Sequence, residues 1–383
     1  MSFYRLLTTT LLVVTPGIAE AQQPLTLAEA TARALERNHA IRIERDRVTA
    51  AEARQLGADG SYDLQFTADI GWRHHQDPVT SLFSGAPLGA KAATRTDFSS
   101  RVGVSQLFKS GAVASLTGSV ERQSTDSVLT ILTPTYITSV GVEARQPLFR
   151  GRGIDNARLT LRITALDHER SSAALLRQVQ NTVSDVEAAY WTLVAARRDV
   201  VVRRASVDLA DAQRADTAAR IEARTLAAAD LAQPRLEVER RRGDLLVAEE
   251  KALRAERALK LLLADGPGDP LWDVALAAAD APDATPVPVS LAGALADAMR
   301  YRPELAERRA QVAAEEAKVA FARDNVKPRL DAYASVALRE LAGDRHDDII
   351  SLPGLVPTLP NGLYPDASAG VVFDVPVGRG AAR

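Results

Sequence analysis

Five histidines and one acidic cluster are the residues of this sequence whose types could hold a metal or move a proton. His39, His74, His75, His168 and His346 show no ligand spacing to a cysteine or to a second histidine one helical turn away. His74-His75 falls just past an alternating stretch and is expected in a solvated loop. Asp344, Asp347 and Asp348 surround His346 without the ordered ligand spacing of a Ca²⁺ loop, so an exposed acidic loop is expected there. Gly151-Arg152-Gly153 has the glycines of a phosphate-binding turn but lacks its lysine and its strand context, and is expected to turn a strand into a helix. No serine sits in a nucleophile elbow. These patterns point to no enzyme, no metal and no cofactor.

The elements that carry such residues must therefore explain the chain. It has 383 residues, a formal net charge of −2, 25% charged residues and no cysteine. A balance this near neutral argues against a nucleic-acid binder, which needs a basic face to release counterions. Arg5, the apolar stretch Leu6 to Val14 and Ala19-Glu20-Ala21 read as a signal peptide over 1–21, with the mature chain beginning near Gln22. Its apolar core is too short to span a bilayer, and no run of about 18 apolar residues follows. Entry into a membrane would have to be as a barrel.

Internal similarity is the strongest signal. The segment opening at Thr26 is echoed from Ser290, a shift of 264 residues (290 − 26), with Arg45 meeting Arg309, Val48 meeting Val312 and Glu52 meeting Glu316. Each copy is expected to be helical, over 26–58 and 290–325, and then to alternate, over 62–147 and 329–376. Each alternating block closes alike, with Pro147 before Gly151-Arg152-Gly153 and Pro376 before Gly378-Arg379-Gly380. The first copy continues into a helical hairpin over 154–264 and a connector over 265–289. The second, 290–383, stops where its hairpin is due, so this sequence is expected to be truncated at its C-terminus.

Tyr62, Leu64, Phe66, Ala68, Ile70 and Trp72 alternate with Asp63, Gln65, Thr67, Asp69, Gly71 and Arg73, which puts one face in an apolar medium and the other in water. Ala112 to Glu121, Val140 to Arg145 and Ser368 to Val375 repeat the habit. A tight turn at Lys109-Ser110-Gly111 contrasts with long loops expected after Trp72, after Gln123 and from Arg339 to Pro365, the loop asymmetry of outer-membrane barrels. Trp72, Phe98, Phe108, Tyr136 and Phe149 are candidates for aromatic girdles. Four strands before Pro147 and two after Leu330 cannot close a generous pore alone, so several chains would share the barrel.

Val179, Val186, Leu193, Val200 and Val207 recur every seven residues, with Val183 and Tyr190 on a second seam; Arg197, Arg204 and Arg214 interrupt the pattern. Such a repeat means coiled-coil-like packing. At 1.5 Å per residue, the proline-free stretch from Asn156 to Arg224 makes a rod of roughly 100 Å. The chain turns back near Arg224-Thr225-Leu226-Ala227 and stops at Asp265-Gly266-Pro267-Gly268.

The pieces "LTLAEATARALERNHAI", "VSLAGALADAMRYRPEL", "QPLFRGRGIDNARLTLRIT", "VEAAYWTLVAARRDV", "RIEARTLAAADLAQPRLEVERR" and "ALKLLLADGPGDPLWDV", in that order, resemble the outer-membrane efflux protein family, the TolC-like channels. The resemblance covers nearly the whole mature chain. It implies an α+β fold in which outer-membrane β-barrel strands join long helices, three chains forming the barrel and a periplasmic α-helical tunnel. It implies two structural repeats, the second incomplete here. It also implies a homotrimer that meets outer-membrane lipid, a periplasmic adaptor protein and an inner-membrane pump, exporting small molecules or proteins in an efflux or type I secretion system. By the same resemblance Arg220, Arg224, Thr225, Leu226, Ala229 and Leu231, at the hairpin tip, would face the adaptor. Family members bring two strands per repeat, so the extra hairpin around Lys109 leaves the barrel at twelve or eighteen strands. The competing expectation is an exported periplasmic coiled-coil protein with a soluble β-domain.

Overall fold

Thr26 and Ser290 begin helices for the same physical reason: each hydroxyl accepts a hydrogen bond from a first-turn amide that has no helical partner. Thr26 Oγ1 accepts from Glu29 N at 3.2 Å while the Glu29 carboxylate accepts from Thr26 N at 2.9 Å, a capping box. Ser290 Oγ accepts from Gly293 N at 2.9 Å. The computed structural model describes residues 23–81, 83–283, 285–286, 288–345 and 362–375. The leader 1–21, Gln22, His346, Asp347, Asp348, Pro376 and Gly378-Arg379-Gly380 lie outside the described residues.

In chain order the elements are β1 (Gln23–Leu25), α1 (Leu27–Arg37), α2 (His39–Asp59), β2 (Gln65–Pro78), β3 (Ala92–Leu107), β4 (Val113–Thr125), β5 (Leu132–Pro147), α3 (Asn156–Glu222), α4 (Ala232–Leu263), β6 (Leu276–Ala278), α5 (Leu291–Tyr301), α6 (Pro303–Asn325), β7 (Arg329–Arg345) and β8 (Gly362–Asp374). Short 3₁₀ turns lie at Gly60–Tyr62, Ala228–Leu231 and Pro270–Asp273. The repeat shows in the boundaries: α1, α2 and β2 start at Leu27, His39 and Gln65, and α5, α6 and β7 start at Leu291, Pro303 and Arg329, each at the shift read from the sequence. The chain divides into two compact units, one of residues to 48 with 171–307, the other of 49–170 with 308 onward.

Each opening helix, expected as one piece, is two. In the second copy the reason is Pro303, which has no N–H and forces Arg302 out of the helical region (ψ 118°). In the first, Asn38 takes the same extended conformation (ψ 124°) without a proline. Its side chain holds the break, accepting from Ala40 N at 2.9 Å and donating to Leu262 O at 3.2 Å.

The core of the helical unit follows the seven-residue seam. Val186, Tyr190 and Leu193 of α3 are fully buried against Leu259 and Leu263 of α4, Ala30 and Ala34 of α1, and Leu25 and Leu276 of the parallel pair β1–β6. The Tyr190 hydroxyl lies 3.0 Å from Leu25 O and 2.9 Å from an Asp280 carboxylate oxygen, and accepts from Asp280 N at 3.2 Å. Two of the arginines that interrupt the seam reach across to α4: Arg197 pairs with Glu256 at 2.7 Å and Arg204 with Glu249 at 2.8 Å. Arg214 instead pairs with Asp211 on its own helix at 3.1 Å, and Asp211 also meets Arg242 of α4 at 3.3 Å. Burial pushes the Glu256 carboxyl up, and Lys260, the Leu276 N–H and Arg197 outweigh it, leaving Glu256 below its ordinary value.

The other unit holds one antiparallel sheet in the order β2-β3-β4-β5-β7-β8, with β2 and β8 as its edges. Strands run further than the alternation suggested. His74 and His75, expected in a loop, belong to β2 and pair with Thr96 and Arg95 of β3, because β3 supplies hydrogen-bond partners as far as Pro78. The expected loop from Arg339 to Pro365 also narrows, since β7 reaches Arg345 and β8 begins at Gly362.

Candidate functional site

The sheet separates two chemistries by parity. Following the register across the strands, Phe66, Val104, Leu116, Val142 and Val336 form one row, and Ala68, Val102, Gly118, Val140 and Leu338 the next. These apolar side chains are uncovered: Phe66 is 69% exposed, Ile70 76% and Val336 60%. A face of this size without cover is not how a water-soluble sheet ends. The opposite face carries small and polar residues, with Thr67, Gly103, Thr117 and Gly141 in one row and Gln65, Ser105, Ser115, Glu143 and Ser335 in another. Its polar groups pair with each other: Ser119 with Ser139 at 2.8 Å, Ser335 with Ser368 at 2.8 Å, Arg339 with Asp366 at 3.1 Å.

Aromatic rows bound the apolar face. Trp72, Phe98 and Tyr136 share a row with Arg122, whose guanidinium lies 5.9 Å from the Tyr136 ring centre. Phe108, Phe149 and Phe373, all exposed, mark the opposite end. From Phe98 to Phe108 the strand rises about 33 Å, which a tilt of about 40° reduces to about 25 Å, the height of an outer-membrane apolar band. Among the described residues no helix is long and apolar enough to cross a membrane, and no group of three His, Asp or Glu converges.

Two devices lock the sheet. Asp331, with its side chain almost fully buried, takes hydrogen bonds from Arg145 at 2.6 Å and Arg329 at 2.7 Å, tying β5 to β7. At the strand-to-helix junction, Arg158 donates to the carbonyls of Gly151, Arg152 and Gly153 and pairs with Asp155, while Gly151 N donates to Asp324 at 2.6 Å. The Gly-Arg-Gly turn thus works through its backbone, as the junction between β5 and α3. Burial raises the Asp324 carboxyl, and Lys327 and the Gly151 N–H bring it below its usual range.

The hairpin tip is a second, separate feature, in the helical unit. α3 closes with a Schellman motif: Thr225 N donates to Arg220 O at 3.0 Å and Arg224 N to Ile221 O at 2.9 Å. Arg224 occupies the left-handed position (φ 61°) that glycine usually fills. Thr225 Oγ1 adds a bond to Arg220 O at 2.8 Å, and Arg220 pairs with Asp216 at 2.9 Å. Asp230 accepts from Ala227 N at 3.0 Å and starts the 3₁₀ turn. Arg220, Arg224, Thr225, Leu226 and Ala229 are exposed, and Leu231 is half-buried. All six sequence-read tip residues fall on this one turn. The glycine-free left-handed residue was not foreseeable from composition.

No protein-family model matches the chain, and no curated protein does. Solved structures do. CusC, a protein that forms a transmembrane channel, superposes with a TM-score of 0.60 at 15% identity, covering 97% of this chain and 70% of its own. The outer-membrane channel OprN gives 0.58 at 17%, over 91% and 64%. The CmeC outer membrane channel of Campylobacter jejuni gives 0.61 at 14%, over 93% and 62%. The fold is that of the TolC-like outer-membrane channels. The chain spans between 62% and 70% of the length of these three TolC-like structures. Within the TolC-like fold, sequence reasoning missed β1–β6, whose three residues per strand carry no periodic signal, and the extent of β3 (Ala92–Leu107), whose apolar positions are broken by Ser100 and Gln106.

Proposed function

We propose that the chain is a subunit of an outer-membrane channel, working as a homotrimer and a passive conduit from periplasm to exterior for a tripartite efflux pump or a type I secretion system. The observation that carries this reading is the six-stranded sheet with one uncovered apolar face, rimmed at both ends by aromatic residues, and one small, polar face. In a bilayer the first face meets lipid, and the aromatic rows sit at the two interfaces. The second lines water, and its serines, threonines and glycines offer neither a tight binding site nor a catalytic group, as suits a conduit. A soluble β-domain would cover that apolar face instead. The exposed tip, from Arg220 to Leu231, is the surface offered to a periplasmic adaptor, through which an inner-membrane pump would be engaged. Localisation follows: the strands in the outer membrane, the long helices in the periplasm.

Expression with residues 1–21 in place, membrane fractionation and gel electrophoresis of the unheated detergent extract test the proposal. Recovery in the outer membrane as a heat-modifiable species about three times the monomer mass is expected of a shared barrel. A water-soluble monomer would overturn it.

A further inference from the structure

We infer that the membrane wall of this channel has eighteen strands: three copies of six, closed edge to edge by β8 of one copy against β2 of the next. This rests on the channel reading above and adds what that reading leaves open, the strand number and hence the bore.

The two strands in question are β3 and β4, the hairpin that the second repeat lacks among the described residues. They are full members of the wall. β3 is paired with β2 from Ala92 to Ser105 and with β4 from Arg95 to Leu107, and β4 is paired with β5 from Val113 to Gln123. The apolar row through Phe66 and Val142 continues through Val104 of β3 and Leu116 of β4 without a break in parity. The turn between them is fixed against the strand-to-helix junction. Gly111 has φ 81°, and a Cβ there would lie 2.9 Å from Gly151 O and 3.0 Å from Arg158. Ser110 O also accepts from Gln146 at 3.2 Å.

The two edges then have one occupant that fits both. Among the described residues, β2 and β8, of 14 and 13 residues, have no backbone partner on their outer sides. Edges of that length are not left open in water, still less in lipid. Because the six strands alternate in direction, β8 runs opposite to β2, so β8 laid on β2 of a second copy continues the antiparallel ladder, and each added copy leaves the same two edges until the ring closes. Six strands spaced about 4.8 Å apart and tilted about 40° take up about 38 Å of circumference, so three copies close at a backbone diameter of about 36 Å and two copies at about 24 Å. At the larger bore the wall encloses an aqueous channel, as barrels of 16–18 strands do. The outer-membrane section is then wide and lined by small polar groups, and it is not the step that selects cargo.

The chain has no cysteine, so introduced pairs report cleanly. The chain with Ala68→Cys and Val102→Cys (β2–β3) and the chain with Gly118→Cys and Val140→Cys (β4–β5) are oxidised in outer membranes. Each is expected to give at least ~10-fold more disulfide than Ala68→Cys with Val140→Cys, which three strand spacings, about 14 Å, hold beyond disulfide reach. If the Ala68–Val140 pair oxidises and the other two do not, the hairpin lies outside the wall and the inference fails. Should Gly118→Cys impair insertion, Leu116→Cys with Val142→Cys reads the same register. Ring size is read with Thr67→Cys and Ser368→Cys joined by a flexible bismaleimide. A ladder of products ending at three copies is expected, and one ending at two overturns the eighteen-strand wall while leaving a channel. Recovery of every variant and the parent in the soluble fraction would instead overturn the channel reading itself.

Discussion

Ala30 in α1 and Ala294 in α5 occupy the same place in the two repeats, yet the first is fully buried and the second is exposed. The helices share their length, a hydroxyl at the N-cap and their apolar periodicity. They differ in surroundings. α1 lies against α4, with Arg33 donating to Asp269 at 2.9 Å and Leu27 N to Asp280 at 2.7 Å. α5 buries no residue, and Leu291, Leu295 and Met299 stand open along it. The sheets differ in the other direction: among the described residues the first repeat places four strands, β2 to β5, where the second places two, β7 and β8. A repeated sequence therefore sets where elements begin, while neighbours set which faces are covered. Amphipathic pattern is a demand for a partner and does not supply one.

The largest expected effect tests the first half of that comparison. Ala30→Glu puts a charge into the packed α1 site and should cost about 3 kcal/mol or more, whereas Ala294→Glu should stay within about 0.5 kcal/mol, both read by denaturant unfolding of the purified chain in detergent. Equal costs would mean that α5 is as well covered as α1. Next come Leu116→Arg, in the extra hairpin, and Val336→Arg, in the second repeat, which share one row of the apolar face. Each should lose about 2–4 kcal/mol in a bilayer, with Ser119→Arg on the polar face nearly neutral. A costless Leu116→Arg beside a costly Val336→Arg would take the hairpin out of the lipid. Gly111→Ala should cost about 2–3 kcal/mol from its left-handed backbone and the contact with Gly151 O, while Gly153→Ala, with open space around it, should be neutral or slightly stabilising. The heat-modification temperature on gels would rank the two.

The smallest effect is a pH dependence confined to the α1 side. Hydrogen bonds from the Asp265 and Leu271 amides, then Arg33, hold Asp269 at about 2 against an ordinary 3.8. A depressed carboxylate stabilises the fold above its unfolded value and loses that contribution as pH falls through its folded one. The helical signal should therefore weaken between pH about 4 and about 2, and Asp269→Asn should flatten that limb, as followed by circular dichroism. An unchanged acid limb would show that the clasp on α1 contributes no stability.

Much of the fold was legible in the chain alone. Period two announced β2, though the strand begins at Gln65 and Tyr62, expected to open it, closes a 3₁₀ turn; the valines and leucines spaced by seven announced α3, and the paired openings at Thr26 and Ser290 matched helix starts. The reversal near Arg224 was legible too, since α3 ends at Glu222 and α4 begins at Ala232. Other features were invisible for stated reasons. Arg197 and Arg204 looked like faults in a seam until Glu256 and Glu249, far along the chain, stood opposite them. Asn38 breaks a helix by bonding to Leu262, a partner that no local rule names, whereas Pro303 breaks its counterpart by covalent geometry alone. His74 and His75 belong to a strand only because β3 is there to pair with them.

What the sequence determined by itself was everything that depends on near neighbours: helix starts through Thr26 and Ser290, strand faces through alternation, the turn at Gly111 through its missing side chain. What the tertiary structure decided was everything that depends on distant partners: which arginines are paired, which of two like helices is buried, and that β3 and β4 join the same sheet as β7 and β8. Local rules act over a few residues because backbone hydrogen bonds and side-chain periodicity do. Strand order and burial are set by pairings across a hundred residues or more, as between Arg145 and Asp331, and only the folded chain brings those groups within 2.6 Å.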